Sequence, residues 1–582
     1  MTQESSIPLA QKPSQVQRRL PTLFAWLLIM AGGLLGVWLA AQTIRQFAGT
    51  PPDFDEAVHL LPVRQLAVDA QQADLAAFVR HTLNQDQLAA YPFFHSWLTF
   101  PAWLVAPGIT TVRTMSAVYL ALAALVAFGL GHDLAANGRF PWLAGLVAGL
   151  LTLGSLPLWA YAGLAYLEAA GLLVTLLALW LYGRSSPTAG RKAHGYAFLA
   201  GLLALAAFFT KYNFGLLLMG SLAVNEFVAW MLTRRQTPIT AVWRRWLALG
   251  GLPAGLMLAW FIWPGHWARF VAYSGAQEGQ LTLWRLASWL YYPRSLLAQY
   301  SAGWPIALLV IGGLVYGVWR WRAFRARSLL IFLLLGWLML TAVPQKEPRF
   351  LYTVAPAAFV LAGGWAAATA VWAARQPRRW RLGLAVAGVV WLVWAGTAVY
   401  HRYQFFDETL AAAYASPPET MAAYQFIHAH TLAQGQPVYL LNGWHLFSPP
   451  ALLWTFYDAA PDSPLAFDSG VVSAGLVPEP TAVNQAALIA RLKAQGIRYI
   501  VSIDGSPAGD YSGWAIIEPL QAQGLVTHVA SSPSLTWPVR YLAYQEALFS
   551  GEFPDLATAV AQSTQYQSSL GLQLHLYEIT GE

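Results

Sequence analysis

Apolar residues fill long uninterrupted stretches of the first 400 positions. Leu23–Ala41, Met115–Gly131 and Trp246–Trp267 contain no Lys, Arg, Asp or Glu. A helix rises about 1.5 Å per residue, so about 20 apolar residues cross the ~30 Å hydrocarbon layer of a bilayer. The pattern predicts eleven spans: 23–41, then segments near 112–132, 140–158, 161–182, 195–210, 213–232, 246–263, 302–319, 329–344, 349–373 and 382–400. The first run exceeds the roughly 7–15 residues of a signal-peptide core and reads as a retained anchor. Phe93–Ala106 is also apolar, but it holds Pro101 and is closed by Pro107-Gly108. Its length suits a re-entrant or interfacial segment better than a crossing. Asp55–Ala70 and Asp74–Leu88 carry apolar residues at helical spacing, among them Val58, Leu61 and Leu66, and predict two helices lying on the membrane.

Beyond position 400 the pattern changes. Ala422–Ala433 and Leu488–Gln495 have helical periodicity, and Pro437–Asn442, Arg498–Ile503 and Leu572–Ile579 read as strands. Helix followed by strand, repeated, predicts a small α/β domain. It has no glycine-rich phosphate loop after a strand, so no nucleotide is assigned to it. The expected organisation is a tail over 1–21, a membrane domain over 22–400 with one long external loop over 43–111, and a soluble α/β domain over 401–582.

Charge gives the topology. Only 10% of residues are charged, against about 25% in a soluble protein. Residues 1–400 carry 29 Lys+Arg against 12 Asp+Glu, and residues 401–582 carry 5 against 15. The basic residues cluster in short loops, Arg184–Lys192, Arg234–Arg245, Arg320–Arg327 and Arg375–Arg381. That is the positive-inside signature of cytoplasmic loops rather than a nucleic-acid footprint. The chain is therefore expected in the plasma (inner) membrane, with a cytoplasmic N-terminus and an extracytoplasmic C-terminal domain. Lys211, the Pro264–Ser301 stretch and the Gln345–Arg349 turn fall outside, and Arg113 outside or at the outer interface. The chain has no cysteine, which excludes disulfides and thiolate chemistry.

Ionisable groups at a membrane face are functional candidates by default. Pro51-Pro52-Asp53-Phe54-Asp55-Glu56-Ala57-Val58-His59 puts three carboxylates in four residues, just after the first span. Asp53 and Glu56 have capping-box spacing, and Asp55 in a first turn also compensates a helix dipole, so a structural reading of each stays open. Asp55 and His59, four apart, share a helix face.

Further segments carry a resemblance: Tyr91-Pro92-Phe93-Phe94-His95-Ser96-Trp97, Tyr161–Glu168 (YAGLAYLE), Thr210-Lys211-Tyr212-Asn213-Phe214 and Gln345-Lys346-Glu347-Pro348-Arg349-Phe350. Together with the Asp-Glu pair after the first span, Leu23–Tyr400 resembles the polyprenol-dependent glycosyltransferases of the C-type fold (GT-C), such as the protein O-mannosyltransferases and the aminoarabinose transferases. Two positions depart from that pattern. Ala89-Ala90 stands where the aminoarabinose transferases have a lysine, and Glu168 stands where an aspartate is common. The resemblance implies a polytopic α-helical GT-C protein that moves a sugar from a polyprenyl-phosphate donor to a hydroxyl of a lipid, glycan or protein acceptor, with inversion.

On that basis Asp55 is expected as general base, with Glu56 beside it in the catalytic pair. Lys211, Lys346 and Arg349 are expected on the donor phosphate, because Arg offers two parallel donors and Lys a point charge. Glu56 or Glu168 would orient the acceptor or balance the cations. Tyr91 completes the substrate-binding set with His59 and His95, which by themselves read as interfacial polar residues. The aromatic stretches Trp263–Trp267 and Leu281–Tyr292 read as a membrane-interface belt or as a lid, with Arg269, Arg285 and Arg294 available to lipid phosphate. Asp53-Phe54-Asp55 is also an Asp-x-Asp, the metal-site pattern of some C-type transferases. A monophosphate donor has less need of a metal, so no cofactor is expected. Two other classes compete. A transporter or flippase predicts internal repeats and ionisable groups at mid-depth; a polytopic receptor or scaffold leaves the Asp55 cluster without a purpose.

Overall fold

The computed structural model describes residues 15–46, 52, 54–85, 91–186, 192–235, 239–275, 283–343, 346–414, 418–431, 436, 438–441, 454, 471–473, 485–494, 496–504, 514–532 and 573–580. Asp53, Ala89, Ala90 and Gln345 from the motifs above lie outside these residues.

The protein is a multi-pass helical membrane protein. Helix α1 (Gln15–Gln46) exposes Leu23, Phe24, Leu27, Leu28 and Leu34, an apolar surface that water would penalise and lipid would not. Next come α2 (Phe54–Gln71), α3 (Leu75–Leu83), α4 (Phe94–Val105), α5 (Ile109–Leu134), α6 (Pro141–Gly154) and α7 (Leu156–Ala162). Then follow α8 (Glu168–Arg184), α9 (Lys192–Thr210), α10 (Tyr212–Thr233), and α11 (Ile239–Trp246) joined by a π turn to α12 (Leu252–Ile262). The membrane part closes with α13 (His266–Gly275), α14 (Leu286–Ser295), α15 (Trp304–Trp319), α16 (Phe324–Ala342), α17 (Ala355–Ala374) and α18 (Arg378–Tyr414).

Among the described residues eight helices are long and apolar enough to cross a bilayer, or nine when α6 and α7, bent by 56°, count as one broken span. The other two predicted crossings form α8, 17 residues, and α15, 16 residues. At 1.5 Å per residue these reach about 24–26 Å, slightly short of the full hydrocarbon thickness. The main core runs through α5, α8, α9, α10, α16 and α17. Small residues let those helices approach: a Cβ built on Gly131 of α5 would lie 2.6 Å from the Ala144 carbonyl oxygen of α6.

The first loop differs from expectation. In α2 every residue from Glu56 to Ala67 is buried, so this helix is packed inside protein rather than laid on a surface. The reason is its composition. Ala57, Leu60, Leu61, Val63 and Ala67 join Trp103 of α4 and Ile109 and Val112 of α5 in one apolar cluster, and the Gln65 amide donates to Asp69 at 2.9 Å. Asp74 caps α3 by accepting from the Ala77 N–H at 2.9 Å. The apolar Phe93–Ala106 segment is the 12-residue α4, too short to cross.

In the tail, β1 (Val438–Leu440), β2 (Val471–Ser473), β3 (Tyr499–Asp504), β4 (Val526–Ser531) and β5 (Gln573–Ile579) form one mixed sheet in the order β2-β1-β3-β5-β4. The β1 pairings are parallel and the β5 pairings antiparallel. Strands β2 and β4 are not visible in the apolar periodicity. β2 has only three residues, and β4 exposes most of its side chains. Trp454 packs edge-on against Trp103, with ring centroids 5.5 Å apart, and joins the cluster around α2.

Candidate active site

Asp55 and Glu56 stand in the first turn of α2, where the helix dipole favours negative charge. Successive helical residues point about 100° apart, so the two carboxylates go to different places. Asp55 forms an ion pair with the Arg349 guanidinium, 294 positions away. Arg349 also pairs with Glu347, and its guanidinium carbon lies 5.6 Å from the Tyr166 ring centroid. A 3-10 turn, Pro348–Leu351, presents Arg349; Tyr300 anchors it by donating to the Pro348 carbonyl at 2.9 Å. Burial pushes the Asp55 carboxyl up. The charge and hydrogen bond of Arg349 outweigh that, with help from His59 and Lys211, and hold it at about 2.

Glu56 enters the core instead. It accepts from Arg113 Nε at 2.8 Å and Nη2 at 2.7 Å, and from the Ala165 backbone N–H at 2.9 Å. Glu56 is 2% exposed and Arg113 is 1% exposed. With both oxygens engaged, this carboxylate ties α2 to α5 and to the α7–α8 turn. The catalytic role expected from sequence needs a free oxygen, and here both oxygens are held by Arg113 and the Ala165 N–H.

A second buried ion pair lies beside the first. Lys211 occupies the extended break between α9 and α10, and Glu168 opens α8. Lys211 Nζ donates to Glu168 Oε1 at 3.1 Å and lies 5.1 Å from the Tyr91 ring, 5.5 Å from Phe214 and 5.9 Å from Phe350. The His59 ring is 5.3 Å from Tyr91 and 6.0 Å from His95. Through these contacts the structure gathers Asp55, His59, Tyr91, His95, Glu168, Lys211 and Arg349 at one end of the bundle, from α2, the segment leading into α4, α4 itself, α8, the α9–α10 break and the turn before α17.

Both histidines are buried, and burial holds each ring neutral, at about 3; Glu168 pushes His95 the other way and His59 adds to its shift. An unfolded histidine takes a proton near 6.5, so below that pH the unfolded chain binds protons that the folded chain refuses. Stability is therefore expected to fall as pH drops from about 6.5 toward 3, by up to about 2 kcal/mol per histidine at pH 5. Asp55 acts in the same direction but at lower pH: its stabilising share is complete above about 4 and is lost as pH falls through about 2. Thermal unfolding between pH 7.5 and 5 checks this, and a flat curve would contradict it.

Lys346 is placed differently from expectation. Its three N–H donors go to backbone carbonyls at the end of α16: Leu340 at 3.0 Å, Thr341 at 2.8 Å and Val343. Three donors and three acceptors leave it acting as a C-cap. Lys346→Met is expected to cost about 1–3 kcal/mol of stability while sugar transfer persists. Lost transfer in a protein of unchanged stability would return Lys346 to the donor phosphate.

The aromatic stretch after α12 is partly folded in. His266 is buried and stacks on Trp260 with centroids 3.9 Å apart, and Arg269 reaches its Nδ1 at 2.9 Å. Arg285 and Arg294 are exposed. Among the described residues no three His, Asp or Glu side chains converge as metal ligands. In the Asp-x-Asp, Asp55 is taken by Arg349, and Asp53 is outside the described residues. Sequence reasoning missed Arg113 as the partner of Glu56: it was visible only as a charge near the outer interface, and nothing local says which opposite charge it would meet.

No curated protein sequence matches the chain. Among solved structures, ArnT from Cupriavidus metallidurans in the apo state is similar over 85% of this chain and 95% of its own, with a TM-score of 0.52 and 16% identity, a likeness of fold. The same ArnT bound to undecaprenyl phosphate aligns over 87% of this chain and 96% of its own, with a TM-score of 0.49 and 16% identity. The profile of the Alg9-like mannosyltransferase family matches residues 91–450. That stretch contains Tyr91, His95, Glu168, Lys211, Lys346 and Arg349, and begins after Asp55. It is more than half of the sequence, and the chain therefore belongs to the Alg9-like mannosyltransferase family and is a multi-pass membrane glycosyltransferase of the GT-C fold.

Proposed function

We propose that the protein transfers a sugar from a polyprenyl-phosphate donor to an acceptor hydroxyl at the outer face of the plasma membrane. The observation that carries this reading is the ion pair between Asp55 of the first loop and Arg349 of the turn before α17, with Lys211–Glu168 alongside. A carboxylate and a guanidinium are the two groups the reaction needs, one for the acceptor proton and one for the donor phosphate. The orientation rests on charge. Helix α8 runs from Glu168 to Arg184, and α10 runs from just after Lys211 to just before the Arg234-Arg235 pair; the positive-inside rule puts the arginine ends in the cytoplasm.

In the proposed reaction the acceptor oxygen attacks the anomeric carbon and its proton passes to Asp55. The bond from that carbon to the phosphate oxygen breaks, and its electron pair leaves on the polyprenyl phosphate. Attack opposite the leaving group inverts the anomeric carbon. A carboxylate held at about 2 is a poor base, since general bases work best near the ambient pH. Donor binding resolves this: Arg349 turns from Asp55 to the incoming phosphate, and Asp55 regains basicity only when the donor is in place. The domain boundaries proposed are the membrane transferase over 22–400 and the extracytoplasmic α/β unit over 401–582.

The test is to incubate the purified protein in lipid nanodiscs with radiolabelled polyprenyl-phosphate sugars and candidate acceptors. Acceptor-dependent release of polyprenyl phosphate is expected. Lipid movement across the bilayer without cleavage would replace this reading with that of a flippase.

A further inference from the structure

We infer that His95 is a subsite that reads a hydroxyl group of the sugar being transferred, an inference that rests on the transfer reaction proposed above. His95 is the second residue of α4 and is 0% exposed. Neither ring nitrogen has a hydrogen-bond partner among the described residues. Buried polar atoms in folded proteins are nearly always paired, because an unpaired one forfeits its hydration without return. Two unpaired nitrogens on one fully buried ring therefore mark a place where something else supplies the partners.

The surroundings say what that partner is. The His95 ring meets His59 at 6.0 Å, and His59 meets Tyr91 at 5.3 Å, the ring that Lys211 overlies at 5.1 Å. Asp55 lies one helical turn before His59. So the orphaned nitrogens border the same cluster that holds the two ion pairs. A neutral imidazole presents one N–H donor and one lone-pair acceptor. A phosphate or carboxylate oxygen accepts only and would leave the lone pair unmatched, whereas an ammonium donates only and would leave the N–H unmatched. A hydroxyl does both. The carboxylates nearby, Asp55, Glu347 and Glu168, already face Arg349, Arg349 and Lys211 respectively. Tyr91 adds an aromatic face against which the apolar side of a sugar ring packs. Cations for the phosphate and a neutral donor-acceptor ring for the hydroxyls are thus separate parts of one site.

The experiment measures kcat/KM for a lipid-phosphate sugar and its monodeoxy series with wild type, His95→Phe and His95→Gln. In wild type, one monodeoxy donor is expected to lose about 10–100-fold against the parent, since a site built to pair a hydroxyl rejects the analogue lacking it. His95→Phe is expected to lose a similar factor on the parent and to treat that deoxy donor no worse than the parent. His95→Gln, which keeps a donor and an acceptor, recovers part of the loss and covers the case in which the phenylalanine variant fails to fold. Thermal unfolding without substrate supplies the second readout: removing two unpaired polar atoms should leave His95→Phe as stable as wild type or more so. Identical deoxy rankings in wild type and the variants would overturn the subsite. A destabilised His95→Phe together with unchanged ranking would assign the ring to an ordered water. A wild type that releases no polyprenyl phosphate from any donor would instead remove the transfer reaction, and the subsite with it.

Discussion

Asp55→Asn is expected to fold like wild type and to transfer sugar about 10²–10⁴-fold more slowly, the usual worth of a positioned general base. The amide keeps the shape of the carboxylate and an oxygen for Arg349, so the α2–turn contact survives as a neutral hydrogen bond. What it lacks is a site for the acceptor proton. Arg349 retains Glu347 as a charged partner in the variant, which limits the structural cost. Single-turnover transfer from a radiolabelled lipid-phosphate sugar, alongside thermal unfolding of the same preparation, reads both quantities. Normal turnover by Asp55→Asn would remove Asp55 as the base. A variant that binds donor more weakly without slowing the chemical step would make it a contact residue only.

One residue further on, the expected result is the reverse. Glu56→Ala should destabilise the protein by about 3–5 kcal/mol, because it strands the Arg113 guanidinium in a site that is 1% exposed. The two groups form a two-pronged ion pair in a dry core, and breaking one partner leaves an uncompensated charge. Glu56→Ala combined with Arg113→Ala should lose less than the sum of the single losses, since neither charge remains to be stranded. Thermal unfolding of the four proteins in detergent gives the cycle. Additive losses would mean that the pair does not act as a pair. Full stability of Glu56→Ala with reduced transfer would restore the catalytic role expected from sequence.

The two neighbouring carboxylates show where legibility stopped. The apolar runs placed the helices, because every membrane crossing must satisfy its own backbone and exclude charge over a fixed length. The same rule made the isolated charges Asp55, Glu168, Lys211 and Arg349 visible as candidates, since each sits at the edge of a segment that otherwise tolerates none. α2 was placed but misjudged. Its apolar spacing fits a helix on a membrane, yet the fold covers it with α3, α4 and α5 and buries it from Glu56 to Ala67. Amphipathicity reports that a face needs covering and is silent on whether lipid or protein covers it.

The sequence by itself marked the long apolar helices and their order, a change of pattern after position 400, and the set of charged residues from which a site had to be made. Only the tertiary structure decided the pairing within that set. It gave Asp55 rather than Glu56 to Arg349, spent Lys346 on the carbonyls ending α16, and left the His95 nitrogens without partners among the described residues. Local periodicity fixes which way a residue faces on its own helix, but Asp55 and Arg349 are 294 positions apart. Their meeting is a property of how the helices pack, and a charge in a low-dielectric interior settles on the partner that packing brings within reach.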